Sequence, residues 1–147
     1  MDLVTHLTRQ AAFSKATFGP GARTEGVTDH IKKELKEVAK VYEPEFEVFA
    51  GYEMTIEEGQ IPVGRTPTTS ERHAAAAEEW TDVAILGLDG LTRAISAAHP
   101  DWTFDMVASE AVKMIVAKQG KNELRDWLDW RTAAPGKAIE HVRGSHD

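Results

Sequence analysis

The chain has 147 residues, enough for one domain with a sizeable core. Its 17 basic residues against 24 acidic ones leave a formal charge of −7, the wrong sign for a protein that holds nucleic acid directly through the phosphates. Cysteine is absent, which excludes disulfides, thiolate zinc sites and thiol nucleophiles together and leaves oxygen or imidazole as metal ligands.

In chain order, Leu3, Val4, Leu7, Ala11, Ala12 and Phe18 fit a short amphipathic helix from Leu3 to about Phe18 that stops at Gly19-Pro20-Gly21. Thr28 is the expected cap of a second helix from Asp29 to about Tyr42, ended by Glu43-Pro44. Glu45 to Met54 alternates with a strand period interrupted at Gly51, and Gly59 to Ser70 is loop by composition. A small hairpin or irregular flap is expected there, as an insertion at about 44–72. Ser70 is the expected cap of a long helix from Glu71 to about Ala98, and Asp101 or Thr103 that of a fourth through about Lys118. One more helical turn or two is expected around Ala138 to Val142, and the last residues, GSHD, are expected to fray. The predicted fold is all-α: a single domain over 1–147, a bundle of about five helices with two central antiparallel acidic helices and a small β-hairpin or irregular insertion. The N-terminal MDLVTHLTRQ is too polar for a signal peptide and no apolar run reaches membrane-spanning length, so no membrane association and a cytoplasmic address are expected.

The chemistry concentrates in two acidic pairs, Glu34/Glu37 in IKKELKEV and Glu79/Asp82 in AAEEWTDVAIL. Residues three apart on a helix lie side by side. Packed face to face, the two helices would bring four carboxylates together at the edge of a core, an acid cage suited to a hard cation such as Mg²⁺ or Mn²⁺. The plainer alternative is a set of solvated acids on amphipathic helices. None of the six histidines completes HExxH or ExxH, which removes the zincin and di-iron patterns. Lys118, Asn122 and Arg125 share a face if the fourth helix continues through Gly120, where they could grip phosphates; the alternative is a solvated face with Arg125 in a surface ion pair. Arg23, in the loop FGPGART, is a candidate for holding base or sugar, against the alternative of a plain turn. His30, one turn before Glu34, is a candidate for support behind the ligands, against the alternative of an exposed histidine, and Asp89, seven residues after Asp82 on the same face, is a candidate to extend or support the acid site, against the alternative of capping a kink at Gly90. Glu123 and Asp126 repeat the ExxD spacing and show how readily it arises, so they stay outside the site.

The strings FGPGARTEGVTDHIKKELKEV, EEWTDVAILGLDG, KNELRDWLDWR and AIEHVR, in that order, resemble the dATP/dGTP diphosphohydrolase family of phages and prophages, a branch of the MazG-like all-α nucleoside triphosphate pyrophosphatases. The ExxE…ExxD pattern at Glu34, Glu37, Glu79 and Asp82 is common to the wider superfamily, and FGPG and DWR narrow the branch; the segment from about Pro44 to Arg72 is longer than the family's usual connection. The resemblance implies hydrolysis of a purine deoxynucleoside triphosphate to monophosphate and pyrophosphate, with two or more Mg²⁺ or Mn²⁺ ions on the four carboxylates. It implies that Glu34 or Glu37 takes the proton of the attacking water, and that a lysine and an asparagine after the acidic helices contact substrate, as Lys118 and Asn122 would. It further implies a homo-oligomer, tetramer or dimer, and a role in shaping the phage nucleotide pool, in some phages toward 2-aminoadenine. The alternatives are a phosphohydrolase that removes one phosphate at a time on the same site, and a non-catalytic helical adaptor.

Overall fold

The computed structural model describes residues 1–49 and 64–144. Helix α1 (Leu3–Phe18) starts where Asp2 Oδ1 accepts from Thr5 N at 2.8 Å, and it ends at Gly19, whose φ of 87° suits a residue without a β-carbon. Helix α2 (Thr24–Lys40) starts five residues earlier than expected. Thr28 is inside it, its hydroxyl donating back to the carbonyls of Thr24 and Glu25 instead of capping. The residue that turns the chain into the helix is Arg23, held at φ 47° and ψ 36°, left-handed and unfavourable for a residue with a β-carbon.

Two short strands follow, β1 (Val48–Phe49) and β2 (Gly64–Arg65), paired antiparallel with Val48 opposite Arg65. Glu45 to Glu47, expected in the strand, form no strand, and Phe46 N donates back to Glu43 O at 3.1 Å in a turn; residues 50–54 of the expected strand and 59–63 of the expected loop lie outside the described residues. Helix α3 (Thr69–Ala98) is capped by Thr68, not Ser70. The reason is the spacing to an acid: Glu71 N donates to Thr68 Oγ1 (3.2 Å) while Thr68 N donates to Glu71 Oε1 (3.1 Å), a reciprocal box that Ser70, three residues before His73, cannot form. Arg65 clamps the same carboxylate through both terminal nitrogens (2.9 and 2.7 Å), and these bonds hold Glu71 down at a pKa of about 2. Thr68→Ala is expected to lower stability by about 1 kcal/mol, read from the urea midpoint; no change would mean that the Arg65 clamp alone fixes this end.

Helix α4 (Phe104–Leu124) is preceded by Thr103, whose hydroxyl donates to Asp105 Oδ1 at 2.6 Å. It runs through Gly120 to Leu124, past the expected end at Lys118. No fifth helix forms at Ala138 to Val142. Gly136, at φ 72°, turns the chain so that it returns extended: Trp127 pairs with His141 in an antiparallel bridge, Leu128 N donates to Glu140 O (3.3 Å) and Val142 N to Asp126 O (2.7 Å). The only helical turn there is a 3-10 turn at Trp130–Thr132, so the described residues hold four helices rather than five. The all-α class holds. The terminal residues expected to fray, 145–147, lie outside the described residues.

Helices α2 and α3 pair antiparallel: Val27 lies against Gly90 at one end, Glu34 meets Glu79 and Asp82 midway, and Tyr42 Oη is 3.0 Å from His73 Nδ1 at the other. Arg72 ties the same end, donating to the carbonyls of Val41 (2.6 Å) and Glu43 (2.8 Å). The C-terminal half of α3 packs on α1 and α4 around Leu7, Ile95, Val107, Ala108 and Ala111. Burying Leu7, Ile95 and Val107 contributes about 1.5–3 kcal/mol each. The acidic middle of α3 lies beyond this core, so its charges border apolar packing without entering it. Among the described residues no helix is long and apolar enough to cross a membrane.

Candidate metal centre

The antiparallel pairing of α2 and α3 puts Glu34 opposite the turn that carries Glu79 and Asp82. One carboxylate oxygen from each of the three comes within 4.8 Å of the others. Glu34 and Glu79 are half-buried and Asp82 is exposed. Partial burial raises the pKa of Glu79, and the nearby charges of Asp82, Glu34, Glu37 and Glu78 push it the same way. Among the described residues no lysine or arginine is paired with Glu34, Glu79 or Asp82, so the three acids repel one another. Their all-oxygen donor set fits a hard divalent ion such as Mg²⁺ or Mn²⁺ and offers nothing to a soft one.

Glu37, the fourth expected ligand, is not among the three that converge: its Oε1 lies 2.7 Å from Lys40 Nζ, one turn further along α2. Its charge still acts on Glu79. His30 Nε2 is 3.1 Å from Glu34 Oε1, so the imidazole fixes one oxygen of the innermost acid of α2. Asp89 turns to Arg93, whose Nε is 3.0 Å from its Oδ2, and it does not extend the acid cluster. The i, i+4 ion pair holds it where a spacing of seven residues alone would have aligned it with Asp82.

Arg23 donates to the carbonyl of Phe18 and leans over Gly26, beside a small cavity of about 80 Å³ that it lines with His30, Leu86 and Asp89. Lys118 and Asn122 stand on α4, and Arg125 just beyond it, its Nη1 donating to Asn122 Oδ1 at 3.1 Å. Helix α4 packs on α1 and α3 and has no contact with α2. The grouping of these three at one end of α4 follows the expected spacing, but none of them belongs to the converged acid cluster.

Arg93 carries more of the site's framework than any residue the sequence reading singled out. Besides Asp89 it reaches the carbonyls of Gly19 (3.0 Å) and Gly21 (2.8 Å) through Nη1, and Ser14 O (3.2 Å) and Oγ (2.7 Å) through Nη2. The FGPG turn and the end of α1 are thereby fastened to α3, one helical turn beyond Asp89. The Asp89/Arg93 spacing in LDGLTR was the available signal, an i, i+4 ion pair on an otherwise apolar stretch. Compared with protein-family models, with curated proteins and with solved structures, the chain gives no match.

Proposed function

We propose that this chain is a MazG-like metal-dependent hydrolase of purine deoxynucleoside triphosphates, dATP and dGTP, giving the monophosphate and pyrophosphate. The observation that carries the reading is the convergence of Glu34, Glu79 and Asp82 from two antiparallel helices. A triphosphate bears about four negative charges near neutral pH, and an acidic protein meets it through bridging cations or local basic groups. When bound, two or more Mg²⁺ or Mn²⁺ ions supply Lewis-acid polarisation of the phosphate oxygens and a water of lowered pKa.

The chain's own residues do the rest. Glu34, steadied by His30, together with Glu79 and Asp82 holds the cations. Glu37, outside the converged three and within reach of Lys40, is the carboxylate left to accept the proton of the attacking water. The water oxygen forms the new bond to the α-phosphorus, the bond from that phosphorus to the bridging oxygen of the β-phosphate breaks, and pyrophosphate leaves. Arg23, Lys118, Asn122 and Arg125 remain the proposed contacts to substrate. For the α4 group, a neighbouring copy is one way to reach the acids, and exposed Trp80, Leu35 and Ile85 on the acidic helices, with Met114 and Val116 on α4, supply apolar surface for a homo-oligomer, tetramer or dimer. Pool shaping in the cytoplasm of a host cell is the corresponding role.

The test is product analysis with each of the four common deoxynucleoside triphosphates and Mg²⁺ or Mn²⁺. Monophosphate and pyrophosphate from dATP or dGTP are expected, with Glu37→Gln slower by about 100- to 10,000-fold. Accumulating diphosphate would assign stepwise removal of phosphate to the same acids, and no turnover with either metal would leave a helical adaptor.

A further inference from the structure

A cavity of about 380 Å³ opens between the end of α1, the end of α3 and the start of α4, within the range of about 300–1,000 Å³ usual for small-molecule sites. None of Glu34, Glu79 and Asp82 lines it. The lining residue of α3 nearest to them in sequence, Asp89, follows Asp82 by seven residues, roughly 10 Å of helix. The cavity is therefore separate from the acid cluster, and what it binds does not depend on the function proposed above.

The ionic groups in its wall do not cancel. Asp89 and Arg93 neutralise each other at 3.0 Å, and both are spent. Asp89 Oδ1 is inaccessible, and the five N–H groups of Arg93 already point at Asp89 Oδ2, the carbonyls of Gly19, Gly21 and Ser14, and Ser14 Oγ. Lys15 remains. It has no carboxylate partner among the described residues, and its Nζ lies 5.8 Å from the centroid of the Phe104 ring, itself a wall of the cavity, which puts the ammonium at the cavity's edge. Ser96 and His99 add side-chain donors with no hydrogen-bond partner among the described residues. Asp101 and Asp105, beside the cavity in sequence, do not line it. In a chain of net charge −7 this lining carries a net positive charge.

The rest of the wall is flat and largely apolar. The rings of His99 and Trp102 stack with centroids 3.8 Å apart at 8°, and both border the cavity, as does Phe104. One ammonium beside aromatic surface matches a planar body that carries a single negative charge. We propose that this cavity binds an aromatic carboxylate, its ring among His99, Trp102 and Phe104 and its carboxylate on Lys15. A phosphate monoester, with a charge of about −1.5 to −2 near neutral pH, would leave part of that charge uncompensated in a partly enclosed site, and a neutral ring would forgo Lys15.

Benzoate and indoleacetate are the probes, added in EDTA so that the acid cluster plays no part. With ¹⁵N-labelled protein and the Trp102 indole signal assigned through Trp102→Phe, both are expected to shift that signal saturably. Their neutral amides, benzamide and indoleacetamide, should bind about tenfold more weakly, the loss of one hydrogen bond to a charged group. Lys15 is exposed. Lys15→Met should bring the carboxylates down to the level of the amides and leave the amides unchanged, a pattern that a general loosening of the fold would not give. Ser96→Phe, which fills the cavity, should abolish the shift with all four compounds. The proposal is overturned by no saturable shift with either carboxylate, by amides that bind as tightly, or by a Lys15→Met protein that keeps the preference for carboxylate. It is equally overturned by inorganic phosphate binding as tightly as the probes, which would make this a site for a bare anion.

Discussion

Arg93→Met is expected to lower stability by about 3–5 kcal/mol, because it removes one partner of a buried ion pair and leaves the other uncompensated. Asp89 and Arg93 are each 7% exposed, so water reaches neither freely. The substitution also releases the carbonyls of Ser14, Gly19 and Gly21, which hold the turn after α1 against α3. Methionine matches much of the stem's volume, so the effect reads the lost polar bonds rather than a cavity. For a chain of this length the corresponding fall in melting temperature is on the order of 10 °C. The double variant Asp89→Leu/Arg93→Met should recover part of the loss, since no charge is then left buried. Urea denaturation of the parent and the variants measures the cycle. A single variant within about 1 kcal/mol of the parent, a value closer to that of an exposed pair, would show that the network is not what fastens the turn.

The contrast between Arg93 and the acid cluster explains what was legible beforehand. Glu34, Glu79 and Asp82 are recognisable because helical spacing is a local property, and an antiparallel hairpin of two such helices is the short-range way to bury their flanking apolar residues. The long helix α3 and the break at Gly19-Pro20-Gly21 are legible for the same reason: propensity and turn chemistry act within a few residues. The misplaced features depend on competition. Thr68 displaced Ser70 as a cap because Glu71 completes a box with it, a reciprocal bond that composition alone does not rank. The start of α2 moved to Thr24 because Arg23 adopts a left-handed conformation, available to few residues with a β-carbon. The expected last helix gave way to pairing of His141 with Trp127, a non-local contact across the Pro135-Gly136 turn that no periodicity announces. The reach of Arg93 is not legible locally because, apart from Asp89, its partners lie more than seventy residues away, on α1 and its turn.

Glu79→Gln is expected to stabilise the metal-free protein at neutral pH while removing its response to metal. Burial and the surrounding acids raise the pKa of Glu79 above the ordinary value of 4.5, so its charged form is disfavoured in the folded state. The sign follows: the folded state binds the proton more tightly than the unfolded one, so this contribution is full below 4.5 and is lost as pH rises through the raised pKa. In EDTA the neutral glutamine should therefore exceed the parent at pH 7 and converge with it below about 4.5. Metal reverses the order. An ion that binds only the folded protein adds about 2.7 kcal/mol at a hundredfold excess over its dissociation constant, and the parent should gain this with Mg²⁺ or Mn²⁺ while Glu79→Gln gains little. Thermal melts across pH, with and without metal, read both halves. The two halves fail separately: a variant weaker than the parent in EDTA at pH 7 would mean that Glu79 is already compensated in the folded protein, and an unchanged metal response would place the cation elsewhere. A protein in which the charge of Glu79 opposes folding until a cation binds beside it has the energetics of a metal centre. Solvated surface acids would give neither the pH dependence nor the crossover.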